Sequence, residues 1–407
     1  MSDSSNILRN LAYIAVASCS LVMAGCGGSS SSSSDDQDPI VTPEPTPEPA
    51  PEPTPDPQPE TLVYTGSEDD ADLSDADLNA VAAEVIKATL ASAMLESIDP
   101  YMDYMDYLGE DLAGDFGGYF ISGPIGLSAA EALDLELSLV NAESGSGTFT
   151  IAGDCGGTSE FTYEESFANY AGEDEAIGYG EEFTNERSAV NTLTDDFCDD
   201  DFYVNGESPK FNGSAEFDGS MNFYFDGNEG GYYANMQGSA EMSVDITVAA
   251  TGLDARYQAA NSISMAMEDD DRAEPSVQNG SQEVISNERF TINGAVIERT
   301  FSLTASSMGP YEDQQLLGFD GSVFSVGYDS SSENEGYYEV NLDAYYSEYG
   351  LIYSYGEDLI LCEDGSGFAS GSIEFEDDES TVALITFTGC ETAPVVTDES
   401  EPEVLEL

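Results

Sequence analysis

The sequence predicts a mainly β protein: a large antiparallel meander, forming a sandwich-like or a curved sheet, with one amphipathic helix towards its N-terminal side. From about Gly147 onward, polar and apolar residues alternate with the period of two that half-buried strands show. Asn-Gly and Asp-Gly dipeptides recur between these stretches and favour the tight turns that join antiparallel neighbours. A single stretch, before residue 100, has clear helical spacing.

The predicted helix follows a short strand predicted at Leu62–Gly66. We expect Ser74 to cap the helix, because two aspartates follow it where carboxylates favour the helix dipole. We expect the helix to end near Ile98, because Pro100 disfavours a helical residue before it. Residues 101–135 fit helix, loop and strand equally. The helical spacing itself is carried by Leu78, Val81, Ala82, Val85, Ile86, Thr89 and Ala93.

The β-domain is predicted from its alternating segments and from the turns between them. The longest loop is expected at Glu268–Gly280, since three aspartates and Pro275 there disfavour a strand. The expected strands are 148–151, 159–163, 239–248, 299–304, 337–345, 351–361, 371–375 and 382–387. The expected turns contain Asn205-Gly206, Asn212-Gly213, Asp218-Gly219, Asp226-Gly227, Asn293-Gly294 and Asp364-Gly365.

A short motif occurs twice, at Phe217–Ser220 and at Phe319–Ser322, each time before an Asn-Glu-Gly segment. Two interpretations stay open at this point. The repeat reflects an internal duplication of a hairpin, or it is a coincidence in a chain rich in Gly, Asp and Tyr.

The N-terminal segment has the features of an export signal. A polar start with Arg9 precedes an apolar stretch, residues 11–24, that is too short to span a bilayer as a helix. The stretch ends in Leu21–Cys26, which resembles the lipobox of bacterial lipoproteins, although Met23 stands where Leu is usual. The resemblance implies that residues 1–25 are removed and that Cys26 becomes lipidated. Gly27, where an aspartate would imply retention in the inner membrane, implies the outer membrane, facing the periplasm or the cell surface.

Residues 26–60 are predicted to be a spacer. Serines occupy positions 29–34, and proline occupies every odd position from Pro43 to Pro59. Alternating proline favours polyproline II at about 3.1 Å per residue, so this part spans roughly 50 Å. The folded part is then divided into a strand–helix segment, 61–140, and an antiparallel β-domain, 141–390. An acidic tail, residues 391–407, is expected to be disordered.

Four cysteines remain after signal removal and lipidation, and an even number in an exported chain indicates disulfides. Of the three possible connectivities, strand topology favours Cys155 with Cys198 and Cys362 with Cys390. The last two cysteines follow strands that run in the same direction in a three-strand meander, so their loops meet at one end of the sheet. A zinc site is disfavoured because the sequence contains no histidine.

Several of these segments resemble a group of uncharacterised, acidic proteobacterial surface lipoproteins. The resemblance rests on Tyr64–Gly66, on Gly153–Gly157 around Cys155, and on Phe197-Cys198 followed by Asn205-Gly206. It covers about residues 61–215 and the closing meander. It implies secretion, β-structure and the first disulfide, and it carries no activity because the group has none assigned.

The net charge of −74, from 82 acidic and 8 basic residues, excludes nucleic acid as a partner. The same charge repels lipid phosphates, so membrane attachment is expected only through the lipid anchor. We interpret the acidity as adaptation to a salty medium, with collective binding of divalent cations as the alternative. Asp195–Asp201 is the densest local charge and would suit Ca²⁺, but a solvated acidic turn explains it as well. The tyrosines at 345, 346, 349, 353 and 355 form either a sugar- or partner-binding strip on the sheet or core and rim residues.

No catalytic motif is present in the sequence. Without histidine there is no Ser-His-Asp or Cys-His arrangement, and no Gly/Lys motif for phosphate appears. We therefore predict no catalytic residues, no metal ligands and no cofactor beyond the lipid at Cys26. The expected function is a structural or interaction module of the cell envelope. The alternatives are a Ca²⁺-dependent binder of envelope glycans or proteins, and a glycoside hydrolase that uses two carboxyl groups.

Overall fold

The computed structural model describes residues 58–113, 145–168, 181–198, 208–226, 231–249, 251–270, 277–306, 312–334, 336–377, 381–398 and 404–406. The mainly β fold class is confirmed in these residues. Their helix and strands are α1 (Leu78–Ala113), β1 (Gly145–Ala152), β2 (Gly156–Ala168), β3 (Glu181–Cys198), β4 (Lys210–Asp226), β5 (Gly231–Val248), β6 (Leu253–Asp270), β7 (Val277–Ile292), β8 (Ala295–Ser306), β9 (Glu312–Phe319), β10 (Ser322–Asn334), β11 (Tyr337–Tyr346), β12 (Gly350–Leu361), β13 (Phe368–Glu376), β14 (Thr381–Phe387), β15 (Val395–Asp398) and β16 (Val404–Glu406).

All described strands belong to one antiparallel sheet in which each strand pairs with the next in the chain. β1 and β16 are its two ends. The longest strands, β3, β5 and β6, have 18 residues each, which corresponds to about 60 Å. A sandwich needs a second sheet packed on the first, so the meander alternative describes this architecture.

One face of the sheet, here called the inner face, packs against α1. Successive residues of a strand point to opposite faces, and the cross-strand pairs Phe290–Ile297 and Leu317–Phe324 lie on the inner face. The helix contributes Val81, Val85 and Ala88, which are fully buried, and these residues join the strand side chains in one core cluster. The opposite side of the sheet is called the outer face below.

The sheet curves around α1. A Cβ atom placed on Gly365, in the β12–β13 turn, would lie 3.2 Å from the Met94 side chain and 3.8 Å from Ala295 at the start of β8. Three strands separate β8 from β12 in the sheet, so a flat sheet would hold these residues about 19 Å apart. The turns meet because the sheet bends over the helix.

α1 begins at Leu78, and Asp77 caps it rather than the predicted Ser74. The Asp77 carboxylate accepts from the Asn79 backbone N–H at 3.2 Å, and the Asp77 carbonyl accepts from the Val81 N–H at 3.0 Å. Ser74 Oγ donates instead to Asp72 Oδ1 at 2.7 Å. A cap must immediately precede the first helical turn, and Ser74 lies too early to do so.

α1 also continues through Pro100 to Ala113, beyond the predicted end at Ile98. Proline inside a helix costs about 3 kcal/mol, because it removes one hydrogen bond and crowds the preceding turn. Ile98 and Tyr101 are 1% and 4% exposed, and burial of each large apolar side chain contributes about 1.5–3 kcal/mol. The burial of Ile98 and Tyr101, on either side of Pro100, therefore outweighs the cost of a proline inside the helix.

Within the described residues, the stretch Leu78–Met102 of α1 has the length and mean hydropathy, 1.4, of a membrane-spanning helix. More than half of its most apolar window is buried inside the protein. Core helices meet the same criteria of length and composition, and the packing of α1 on the inner face identifies it as the core helix of this sheet.

Two of the predicted turns are confirmed and two are wrong. Asn293-Gly294 joins β7 to β8 with φ values of 48° and 92°, and Asp364-Gly365 lies in the β12–β13 connection. Asn212-Gly213 and Asp218-Gly219 lie inside β4. β4 pairs continuously with β3 and β5 across both dipeptides, and the Phe217 ring fills the space where a Gly219 side chain would stand.

The position of Asp218-Gly219 inside β4 also contradicts an internal duplication. Phe217–Ser220 runs through the middle of β4, whereas Phe319–Ser322 contains the turn between β9 and β10. Equivalent repeats would occupy equivalent positions. The Asn205-Gly206 turn and the segment after Asp226 lie outside the described residues.

Three further segments contradict a specific prediction, and β3, β4, β7, β9 and β10 are strands that the sequence analysis did not predict. Leu62–Gly66 forms no strand, and pairing of this region begins at an isolated bridge between Asp70 and Leu351. β6 extends to Asp270 because its backbone pairs with β5 and β7 along its whole length. The acidic tail contains β15, which pairs with β14, and the short β16. Backbone pairing with a neighbour overrides low strand propensity in these places.

We predict that Asp77→Ala lowers the free energy of unfolding by about 1 kcal/mol, because the N–H groups of the first helical turn lose their acceptor. Chemical denaturation monitored by circular dichroism measures this change. Asp75→Ala removes the same charge two residues earlier and should have a smaller effect. Equal effects of the two substitutions would contradict the assignment of Asp77 as the cap.

Candidate functional site

Cys26, the predicted lipidation site, lies outside the described residues, together with the linker up to residue 57. Lipidation therefore stays a prediction. The described part of the chain begins at Gln58, where the linker reaches the sheet.

Residues 58–70, here called the strap, cross the outer face of the sheet. Gln58 Nε2 donates to Glu241 Oε2 on β5 at 2.7 Å, and the Leu62 N–H donates to Thr300 Oγ1 on β8 at 3.0 Å. The strap then reaches β12, where the Asp69 carbonyl accepts from the Leu351 N–H at 2.9 Å. Contacts with three separate strands hold the linker end of the chain against the sheet.

The predicted disulfide pairing is confirmed at the level of distance. Cys155 and Cys198 have Cα atoms 5.5 Å apart, and those of Cys362 and Cys390 are 5.8 Å apart. The first pair joins the β1–β2 turn to the end of β3, and the second joins the segments after β12 and β14. The first pair lies near the β1 end of the sheet, and the second lies nearer the β16 end.

The predicted acidic turn begins inside β3: Asp195 and Asp196 lie within that strand, at an irregularity of its pairing with β4. Asp195 and Asp196 have φ values of 57° and 59°. The Asp196 carboxylate accepts from Asn212 Nδ2 at 2.9 Å and from Lys210 Nζ at 3.4 Å. Asn212, followed by Lys210, lowers the pKa of Asp196. Residues 199–201 of this turn lie outside the described part, and none of the described carboxylates and cysteines form a group of three or more that could hold a metal ion.

A polar cavity of about 380 Å³ lies between α1 and strands β7–β10. Ser92 of α1 and Ser331 of β10 both donate to the Asp329 carboxylate, at 2.8 Å and 2.9 Å. Glu96 and Asp99 of α1 line the same cavity. This cluster interrupts the apolar contact between the helix and the inner face.

Arg299 is the cation of this cavity. It pairs with Glu288, which also accepts from the Tyr257 hydroxyl at 3.2 Å, and its guanidinium lies 5.3 Å from the centre of the Phe290 ring. Burial acts to lower the pKa of Arg299, but the Glu288 carboxylate more than offsets it, so that the pKa lies above its ordinary value. Arg299 is thus a permanent charge held in one position.

Sequence reasoning missed this ion pair, although a local signal was present. Glu288 and Arg299 flank the Asn293-Gly294 turn symmetrically, and a two-residue turn there places them opposite each other. Arg289 and Glu298 form the adjacent pair, which points to the outer face. The contribution of α1 to the cavity had no comparable signal, because Ser92 and Asp329 are 237 positions apart.

Glu96 lies on the α1 side of this cavity. Burial raises the pKa of Glu96, and the neighbouring Asp99 charge raises it further. A carboxyl group that keeps its proton above the usual pH can donate that proton, and acid–base chemistry with two carboxyl groups needs such a donor. The same shift also follows from like charges meeting in a partly desolvated space.

An aromatic triad, Phe149, Phe161 and Tyr163, lies at the β1 end of the sheet. Phe149 and Phe161 face each other across β1 and β2, and the ring centres are 5.9–6.5 Å apart. Phe149 is 54% exposed, and the adjacent Ile151 is 59% exposed. Register places these side chains on the same face as Leu193 of β3, so they extend the apolar inner face to the edge of the sheet.

The tyrosine strip predicted between residues 345 and 355 divides between the two faces. Tyr346 is buried in the core, where it contacts Phe324 edge-on with ring centres 5.1 Å apart. Tyr345, Tyr353 and Tyr355 alternate with core residues and lie on the outer face. The core interpretation is therefore correct for Tyr346, whereas the outer tyrosines lie on the face away from α1.

We predict that Glu96→Gln stabilises the protein at pH 7. Because the pKa of folded Glu96 lies above the ordinary 4.5, folding takes up a proton, and the stability contributed by Glu96 is full below that pH and is lost as the pH rises through the folded pKa. Unfolding curves should show a gain at pH 7 that shrinks towards pH 4.

Glu339→Gln, at an exposed position of β11, is the matched control for loss of one negative charge. It should stabilise less than Glu96→Gln at pH 7. A Glu96→Gln variant that is no more stable than the Glu339→Gln variant would contradict the desolvation of Glu96.

Comparison with protein-family models, with curated protein sequences and with solved structures finds no match to this chain. The resemblance to acidic surface lipoproteins therefore stays a prediction from the residues quoted above. The functional conclusion rests on the predicted anchor, the strap and the surfaces of the sheet.

Proposed function

We propose that this chain is a lipid-anchored protein of the outer membrane that serves as a structural or interaction module of the cell envelope. Cys26 carries the lipid, residues 26–60 form the spacer, and the sheet is the displayed body. The signal-like sequence before Cys26 supports the anchor. The strap supports the proposed role of the sheet as the displayed body, because it fixes the linker end of the chain to three strands.

The observation that favours an interaction module is the exposure of the aromatic triad beside the β1 edge. More than half of the surface of Phe149 and of Ile151 is in contact with water. Apolar exposure of this kind marks interaction sites, and a strand at the end of a sheet presents backbone groups to a partner. The partner class proposed for this edge is an envelope glycan or protein.

The acidic shell is proposed to be an adaptation to salt. Lys87, Lys210, Arg256, Arg289 and Arg299 are paired with carboxylates in the described part, so most acidic residues depend on solvent ions for screening. A salty medium shortens the range of their repulsion to about 8 Å or less.

A Ca²⁺-dependent binder of glycans or proteins is the second candidate. The aromatic triad favours it, because flat rings stack on sugars, and the acidic turn at Asp195–Asp201 supplies oxygen ligands. Calorimetric titration with Ca²⁺ in concentrated NaCl separates the candidates: saturation at low stoichiometry favours the binder, and diffuse screening favours the module. A carboxylate-based glycoside hydrolase is the third, supported by the raised pKa of Glu96 in its cavity.

We predict that Cys26→Ser abolishes incorporation of a fatty-acid label and moves the protein from the membrane fraction to the soluble fraction. The reason is that lipid chains supply the membrane affinity of such proteins. Cys19→Ser is the matched control, since that cysteine lies within the predicted signal. An unlabelled wild-type protein, or a labelled Cys26→Ser variant, would contradict the anchor.

We predict that the double substitution Phe149→Ser with Ile151→Ser reduces the recovery of cross-linked envelope components with the full-length protein. Val63→Ser, at a strap position that is 69% exposed, is the control for loss of an exposed apolar side chain. Protease and periodate treatment of the recovered material assign the partner as protein or glycan. Identical recovery from wild type and the double variant would exclude the aromatic triad as the interaction site.

A further inference from the structure

The outer face of β10–β13 carries tyrosines and carboxylates in alternation. Tyr328 pairs with Asp343, Asp343 with Tyr353, and Tyr353 with Glu376, so the four residues form one line across four strands. We call this line the tyrosine–carboxylate row. Leu342 and Ala344, on either side of Asp343, are fully buried in the core, which places the row on the side away from α1.

A second line of the same character lies next to the row. Tyr355 pairs with Asn341 on one side and with Glu374 on the other. The Tyr355 hydroxyl donates to Glu376 Oε1 at 3.3 Å, which links the two lines. Tyr328 and Tyr355 are 50% and 38% exposed. The surface thus offers aromatic rings and carboxylates to solvent side by side.

The strands that form this surface contain no Lys or Arg to balance its negative charge. After Arg299 the chain contains no Lys or Arg, while β10–β13 and their connections are rich in Asp and Glu. The described ion pairs of the Arg289 and Arg299 side chains are made with β7 and β8. Burial and the Glu376 charge raise the pKa of Asp343, so the carboxylates of the row repel one another. A bound cation would relieve this repulsion.

The alternation of rings and carboxylates suits a guanidinium better than a metal ion. Guanidinium groups stack on aromatic faces and form paired hydrogen bonds with carboxylates at the same time. Ca²⁺ needs six to eight oxygen ligands around one point, whereas the carboxylates of Asp343 and Glu376 start from strands two positions apart, about 10 Å from each other. The row is therefore spaced for several separate cationic side chains.

We propose that the tyrosine–carboxylate row docks an arginine-rich segment of a partner protein. The proposal rests on the interaction function proposed above and names a partner class for a surface distinct from the aromatic triad. Charge complementarity selects the segment, and stacking on Tyr328 and Tyr353 retains it when salt weakens the ion pairs.

The test measures binding of a synthetic peptide of four Arg-Ser repeats to the purified full-length protein by calorimetry, from dilute buffer to molar NaCl. Arginines at alternate positions project from one side of an extended peptide. The same peptide with citrulline in place of arginine keeps the shape and loses the charge. We expect the arginine peptide to bind with a salt-sensitive dissociation constant and the citrulline peptide to show no saturation.

Variants then assign the site. Tyr328→Leu and Asp343→Asn should each weaken binding of the arginine peptide by about two- to fivefold. Glu216→Gln is the matched control, since it removes an exposed charge of β4, and it should leave the dissociation constant unchanged. Near-ultraviolet circular dichroism confirms that each variant keeps its tertiary structure.

Equal weakening by Glu216→Gln and Asp343→Asn would overturn the proposal, because it would indicate general attraction to a polyanion. Displacement of the peptide by stoichiometric Ca²⁺ or by a neutral oligosaccharide would also overturn it, in favour of a cation or glycan site. The peptide experiment tests the tyrosine–carboxylate row alone, because the aromatic triad lies on the other face of the sheet. Peptide binding without recovery of envelope components would refute only the interaction role of the triad, and the reverse result would refute only the arginine-segment proposal.

Discussion

The burial of α1 against the inner face is the interaction on which the rest of the structure depends. Each described strand pairs with its neighbours in the chain, so hairpin pairing alone would leave one apolar face of the sheet in water. α1 covers that face and contacts strands as distant in the sheet as β3 and β15. Each fully buried Val or Ile side chain at this contact contributes about 1.5–3 kcal/mol. The helix thus joins local hairpins into a single body and sets the curvature of the sheet.

The cavity around Arg299 is the exception within this contact. Charges taken out of water destabilise a fold unless they are paired and hydrogen-bonded, and here Glu288, Tyr257 and the Phe290 ring surround the guanidinium. For Glu96 on the facing helix, burial and the Asp99 charge outweigh a backbone hydrogen bond from Glu333, so the pKa of Glu96 is raised. The hydrogen bond between Ser92 and Asp329 joins α1 to β10 within this cluster.

The distribution of charge follows from the same geometry. Because strand residues alternate between faces, the inner face excludes most carboxylates, and they accumulate on the outer face and in the connections. Cations near α1 and β7–β8 are held in ion pairs, whereas β10–β13 contain none. On the outer face near Asp343, tyrosines and carboxylates lie side by side on strands that contain no Lys or Arg. The strap crosses the same face of the sheet between β5 and β12.

The sequence by itself determined what depends on neighbouring residues: the alternation of Tyr337–Tyr346, the Asn293-Gly294 turn, the distance-compatible cysteine pairs, and the acidic, proline-rich composition. Only the tertiary structure decided the features that depend on distant partners. β3 was not apparent because Asn191, which is buried with Ser159 as its hydrogen-bond partner at 2.8 Å, looks like a surface residue in sequence. Distant partners also decide three other features: the continuation of α1 through Pro100, the strand inside the acidic tail and the Ser92–Asp329 contact. In each case burial or backbone pairing with a remote segment outweighs the local preference, and a local pattern contains no record of that segment.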